Sequence, residues 1–367
     1  MYGAGINGQR MLEKIERQYP DELQVTNIID QYKSGKIGEI SICSIEKILE
    51  KKDKDTILSS PVVIAIAKRK TVLEVYRYLN QYGFSEIYFY LEKDSNRSEG
   101  DSFLEYECAK IDADPDEILP HIEIHAVDYC NLNCSGCTHF SPAYDRKMPN
   151  ITYRLDGIKK IRDLTANVLS FYILGGEPFL CQQLEQYINT ARTCFPNSDI
   201  RLVTNGLLIT TVNQSILDVI REKRIIVDIS EYEPVRSKIH TITEILSSNL
   251  IDYSIRTIDK KQRFTKPLST TTKSKYKKTC ISDGCVSIKD DMISRCPTLM
   301  YVNVLNEKYH TSFPLDGIYK IRDFDSPIEL NQRMKERVPL CEYCVMNEID
   351  WHTCGKKPDL YDFVTDE

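Results

Sequence analysis

Asp128-Tyr-Cys130-Asn-Leu-Asn-Cys134-Ser-Gly-Cys137-Thr-His139-Phe140 begins at the end of a stretch, 122–128, that reads as a β-strand, and it places three cysteines in a CxxxCxxC pattern at the strand's end. Three thiolates can hold three irons of a cubane cluster and leave the fourth iron open to another ligand. Structural zinc suits the same residues, because His139 or His125 would complete a tetrahedron with Cys130, Cys134 and Cys137. The triplet alone leaves both readings open.

Downstream, the pattern predicts strands at 170–174, 200–203, 225–229 and 253–256, alternating with helices at 156–166, 183–194, 214–222 and 237–247. Five or six such βα units make an incomplete barrel, with functional residues at the carboxy ends of the strands. The second strand ends in Leu174-Gly175-Gly176-Glu177-Pro178. Two glycines there expose backbone carbonyls and permit close approach, and Glu177 adds an acceptor suited to an ammonium group. A zinc knuckle has no need of such a turn, which favours the cluster.

On the triplet and the 175–178 turn, the stretch from about 121 to 256 resembles the radical S-adenosylmethionine (SAM) superfamily. The resemblance implies a partial (β/α)6-type TIM barrel, a 4Fe–4S cluster on Cys130, Cys134 and Cys137, and SAM held by its methionine amine at Gly175, Gly176, Glu177 and Pro178. Val203-Thr204-Asn205-Gly206 resembles the TNG segment of the peptide- and sugar-modifying branches, and Ser230 is similar in position to a strand-four serine that contacts SAM. Asn205 and Ser230 are therefore expected at the ribose or carboxylate. Gly136 stands where the family often has an aromatic residue addressing the adenine, so Phe140 or His139 is expected to compensate. The implied chemistry is reductive cleavage of SAM to a deoxyadenosyl radical that abstracts a substrate hydrogen.

The chain has 13 cysteines. Cys43, Cys108, Cys181 and Cys194 are scattered and read as small buried hydrophobes. Cys280, Cys285, Cys296, Cys341, Cys344 and Cys354 form a carboxy-terminal set that resembles the twitch and SPASM auxiliary-cluster extensions, with Asp291 at their glycine position. The resemblance implies one auxiliary 4Fe–4S cluster on Cys296, Cys341 and Cys344, with Cys280 or Cys285 as fourth ligand. A zinc ribbon is the competing reading. Cys354, near the only tryptophan, Trp351, is open as a ligand, a hydrogen-atom donor or a bystander.

At 367 residues the chain is long enough for two or three domains. Residues 1–93 read as a Rossmann-like α/β unit: Gly3-x-Gly5-x-x-Gly8, a helix at 11–17, a strand at 25–29 ending at Asp30, a strand at 62–67, a helix at 71–82 and a strand at 86–90. Only Met1 and Tyr2 precede the first glycine, so the feeding strand is truncated or absent and a structural tight turn is preferred over a nucleotide site. Residues 94–118 are expected as a linker, 119–270 as the barrel and 271–367 as the auxiliary extension. The formal charge of −6 argues against a nucleic-acid coat, no apolar run is long enough for a membrane span, and the lack of a leader pattern suggests the cytoplasm.

A basic stretch containing Lys260, Lys261, Arg263 and Lys266 reads as a solvated loop or as a clamp for phosphate. With the amino-terminal unit, it favours a small, phosphate-bearing carbohydrate or nucleotide-linked sugar as substrate, modified by dehydrogenation or epimerisation in bacterial polysaccharide synthesis. A maturase of ribosomally made peptides and a non-catalytic iron–sulfur or zinc scaffold are the alternatives. A flavodoxin- or ferredoxin-type electron donor is the expected partner.

Overall fold

The computed structural model describes residues 1–50, 54–94, 101–257, 264–272, 280 and 284–366. Its largest sheet has eight strands in the order Tyr253–Thr257, Ile226–Glu231, Asp199–Thr204, Val168–Gly175, Leu119–Val127, Val286–Lys289, Met292–Ser294 and Ile318–Lys320. The first six run parallel to their neighbours, and the last two add an antiparallel extension. Five consecutive βα strands thus lie in reverse chain order. The sixth parallel strand comes from the region expected as the extension and pairs with the first through Val286–Ile122 and Ile288–Ile124.

Alternation along each strand explains how this sheet has two different faces. Ile122, Ile124 and Ala126 pack outward with Ile158, Ile161 and Ile188 of the flanking helices Ile151–Leu164 and Leu184–Cys194. On the alternate face, His121 and Glu123 line a cavity, as do Tyr172 and Leu174 of the next strand. Helices Gln214–Glu222 and Ile239–Ser248 complete the outer layer.

At the amino terminus, Tyr2 lies between Ile29 and Ile64 in two parallel bridges, fixed by Tyr2 N–H to Val63 and Gly3 N–H to Ile29. The feeding strand is therefore present, reduced to its shortest form. Around it run Gly35–Ile37, Ile40–Cys43, Ile28–Ile29, Val62–Ile64, Ile87–Tyr90 and Cys108–Lys110. The last of these, with helix Phe103–Tyr106, occupies the stretch expected as a linker, because Phe103, Cys108 and Ile111 are buried against this unit. Asp30 accepts hydrogen bonds from Ala4, Tyr32 and Lys33, so its carboxylate is occupied within the turn.

This unit meets the amino ends of the barrel strands. Arg69 is buried there, with Nη2 2.8 Å from Asp199 and Nε donating to Ser170 at 2.7 Å, while Arg201 binds the same carboxylate at 3.0 Å. Lys93 pairs with Asp252 at 2.5 Å. A cavity of about 720 Å³ lies at this end, lined by Asn167, Ser198, Asp199, Ile226 and Asp252, remote from the cysteine triplet.

The carboxy-terminal part has a three-stranded sheet with Phe264–Ser269 in the middle, antiparallel to Cys344–Ile349 and parallel to Val364–Thr365. Its own core contains Leu268, Leu299, Leu340, Phe363 and, from the cluster loop, Phe140. No described helix is long and apolar enough to cross a membrane.

Candidate active site and metal centre

The first strand delivers the cysteine loop through an anchored start. Asp128 accepts from Arg154 at 2.8 Å and lies 2.9 Å from His125 Nδ1, and His125 stacks on Tyr301 with ring centres 3.7 Å apart. Asn133, Gly136 and Phe140 take left-handed backbone angles, which let the loop double back so that Cys130, Cys134 and Cys137 share one small region. Gly136 explains the departure from the family pattern. Its φ is +75°, and a Cβ would lie 3.0 Å from Ile349 Cδ1 and 3.1 Å from the Thr265 carbonyl oxygen, so an aromatic residue has no room.

Burial pushes the Cys130 thiol up to about 12, and raises Cys134 further. Burial would raise Cys137 too, but the hydrogen bond and charge of His139 outweigh it and hold this thiol below its ordinary value. Leu132 N–H points at the Cys130 sulfur at 3.4 Å.

Against this loop lies the glycine turn. Cβ atoms at Gly175 and Gly176 would fall 2.1 Å from the Val127 oxygen and 1.9 Å from the Tyr129 oxygen, so only glycine allows the two turns to meet. Glu177 is fully buried. Its Oε1 accepts from Thr204 at 2.7 Å and from Phe179 N–H at 3.2 Å, and Oε2 accepts from Asn205 N–H at 2.9 Å. The carboxylate thus ties the second strand end to the third. Burial lifts it to about 7, and among the described residues no cation pairs with it. Asn205 donates to Asn131 at 2.8 Å, holding the third turn to the cysteine loop.

Cys130, Cys134, Cys137, Gly175, Gly176, Asn205 and Ser230 all line one cavity of about 530 Å³. Pro178 starts a short 3₁₀ turn behind it. Phe140, expected beside an adenine, is instead buried in the carboxy-terminal core, edge-on to Phe363 at 5.8 Å, and does not reach the cavity. His139 does reach it.

One part of the lining was not singled out from sequence. Glu123 is buried there, 3.7 Å from His121 Nε2 and 3.5 Å from His139 Nε2, and it accepts a short hydrogen bond from Ser287. Burial would raise this carboxyl, yet the two imidazoles hold it well below the usual range. Tyr172, Tyr232 and Arg256 complete the lining, and Arg256 pairs with Asp228 at 3.0 Å. The signal was the sequence His121-Ile-Glu123-Ile-His125: polar residues at every second position of a strand buried on both faces imply a polar cavity.

Among the carboxy-terminal cysteines, Cys285 lines the same cavity. Burial raises Cys285 and Cys296 to about 12 and Cys344 to about 11. The charges of other cysteines add to this: Cys280 links electrostatically to Cys285, Cys296 and Cys344, and Cys341 to Cys296 and Cys344. Cys354 belongs elsewhere: it is buried beside Cys134 and Cys137, with its N–H on the Asn133 carbonyl at 2.8 Å. Among the described residues no three His, Cys, Asp or Glu converge on a point suited to one metal ion. Lys260, Lys261 and Arg263 lie outside the described residues. Lys266, expected at the substrate, sits on the central carboxy-terminal strand, bonds the Tyr361 carbonyl and does not line the cavity.

The 4Fe-4S single cluster domain family matches residues 123–244, which contain the triplet, the glycine turn and both further strand ends. This segment therefore matches a 4Fe–4S single cluster domain. The group this family is named for is a 4Fe–4S cluster. The residues present fit such a cluster: three thiols line one cavity together with Gly175, Gly176 and Asn205, and the two glycines let their turn close against the cysteine loop. No functionally curated protein matches the chain in sequence. Among solved structures, the chain is similar to anSMEcpe with bound AdoMet and Cp18Cys peptide (22% identity, 37% of this chain and 42% of that one, TM-score 0.30). It is also similar to BtrN in complex with AdoMet and 2-DOIA (14%, 61% and 92%, TM-score 0.38) and to Streptococcus suis SuiB (14%, 42% and 44%, TM-score 0.27). The match with anSMEcpe thus spans less than half of that protein's length.

Proposed function

We propose that the chain is a radical SAM enzyme that abstracts hydrogen from a carbohydrate or nucleotide-linked sugar, leading to dehydrogenation or epimerisation, in bacterial polysaccharide synthesis. The observation that supports this most is the shared cavity, whose lining combines the triplet and glycine turn with the hydrogen-bonding side chains Glu123, His121, Tyr172 and Arg256. When bound, the cluster and SAM supply the deoxyadenosyl radical. The protein's part is to seat SAM at Gly175 and Gly176, hold the third turn through Glu177 and Asn205, and present substrate hydroxyls to the acceptor Glu123.

Cys280, Cys285, Cys296, Cys341 and Cys344 hold one auxiliary 4Fe–4S cluster in this reading, with four of the five as ligands. Cys285 borders the cavity, so a cluster held there would lie near a bound substrate and could exchange an electron with it. The amino-terminal unit is a Rossmann-like domain, and its parallel strands favour a small molecule over the winged domain common in peptide maturases. A flavodoxin- or ferredoxin-type protein supplies the electron.

The test is anaerobic incubation of the reconstituted, reduced protein with SAM and a panel of deuterated nucleotide-sugars, alongside short peptides. Deuterium appearing in deoxyadenosine from a sugar supports the reading. Transfer only from a peptide would replace it with the maturase.

A further inference from the structure

The triplet's three sulfurs do not receive their hydrogen bonds from the same place. Cys130 is served by Leu132 N–H within the loop and by Asn205 Nδ2 of the third turn at 3.7 Å, and Cys137 by His139 within the loop. Cys134 is served by the indole Nε1–H of Trp351, 3.2 Å away in space and 217 residues away in sequence. Trp351 lies beyond the segment matched by the iron–sulfur family.

The contact is built rather than incidental. Residues 352–354 pair with the cysteine loop through Ser135 N–H to the His352 carbonyl at 2.9 Å and Cys354 N–H to the Asn133 carbonyl at 2.8 Å, flanking an antiparallel bridge between Cys134 and Thr353. Further along, the Asp362 carbonyl accepts from Gly136 N–H at 2.7 Å and from Ser135 Oγ at 3.1 Å. The indole also stacks on Tyr232, with ring centres 5.8 Å apart, and Tyr232 lines the SAM cavity. Backbone pairing on one side and ring stacking on the other leave the indole N–H directed at one sulfur, which is itself buried.

We propose that Trp351 is a redox-positioning residue that raises the reduction potential of the cluster held by the triplet through its N–H to Cys134. A donor dipole aimed at a cluster sulfur stabilises the reduced state, which carries one more negative charge, more than the oxidised state. In a buried site this field is weakly screened, and hydrogen bonds to sulfur and solvent exposure are among the levers that set such potentials. The carboxy-terminal segment thus acts on the electron-transfer step from outside the barrel. The inference rests on the assignment of a SAM-binding cluster to the triplet.

Because the chain has one tryptophan, indole-15N labelling marks this atom alone in the unaltered protein. Electron-nuclear double resonance on the reduced, reconstituted protein should show 15N coupling in the signal that changes when SAM is added. Trp351→Phe keeps a ring against Tyr232 and removes the donor. It should abolish an exchangeable-proton coupling and shift the reduced-to-oxidised equilibrium on the order of tenfold toward the oxidised cluster, 59 mV for one electron. A SAM-responsive signal without 15N coupling, or an unchanged potential in an assembled Trp351→Phe cluster, overturns the role of Trp351 and leaves the cluster assignment standing. If that variant does not assemble, the labelled wild type decides alone. No SAM-responsive signal at all would remove the cluster assignment and this inference with it.

Discussion

Glu177 allows a test of SAM binding that needs no substrate. Burial lifts its carboxyl to about 7 from an ordinary 4.5, because its hydrogen bonds from Thr204, Asn205 and Phe179 compensate only part of the lost hydration. A carboxyl whose folded value is raised favours the folded state fully below its unfolded value, and this contribution is lost as pH rises through the folded value. The gap corresponds to about 3 kcal/mol, lost between about pH 4.5 and 7. An ammonium group seated against the turn reverses the imbalance by favouring the carboxylate. SAM binding near pH 6.5 should therefore release a fraction of a proton, fading by about pH 9. Calorimetry in buffers of different ionisation enthalpy measures that release directly. Glu177→Gln keeps an acceptor for Thr204 but turns an amide toward Asn205 N–H, at a pH-independent cost of about 1–3 kcal/mol. The readout is therefore its flat pH dependence and the loss of proton release. Buffer-independent heats in the wild type, or the same release in Glu177→Gln, would refute the reasoning.

Three further outcomes follow from the geometry. Arg69→Met leaves Asp199, among the described residues, with Arg201 as its paired cation and strips Ser170 of its donor, so denaturant unfolding should show a loss of about 3 kcal/mol with SAM cleavage per folded molecule unchanged. Gly136→Ala must adopt a left-handed backbone and push on Ile349 and Thr265; a loss of about 1–2 kcal/mol and easier proteolysis of the carboxy-terminal segment are expected. Cys354→Ser should leave iron and sulfide content as in the wild type, whereas a drop by a whole cluster would make Cys354 a ligand.

Much of the site was legible because it is local. The triplet, the glycine turn and Asn205 each lie at the end of a strand whose apolar pattern is plain, and parallel βα order brings consecutive strand ends together. The rest depends on distant pairings. Tyr2 is a strand only because Ile29 and Ile64 flank it, and Val286–Lys289 joins the barrel only by pairing with the first strand. Phe140 was misplaced because an aromatic residue after the triplet suits a purine as well as a core; its left-handed backbone and the arrival of Phe363 decide for the core. Glu123 looked like one polar residue in a strand until His121, His139 and Ser287 surrounded it. Nothing near Trp351 in sequence announces that its indole meets Cys134.

The measurement that bears most directly on the account is SAM turnover by the reconstituted, chemically reduced protein beside a variant with Cys130, Cys134 and Cys137 all changed to Ala. The wild type should form deoxyadenosine and methionine, and the variant neither, while the variant keeps the iron bound by the carboxy-terminal cysteines. Equal cleavage by both proteins, or none by a fully loaded wild type, would contradict it.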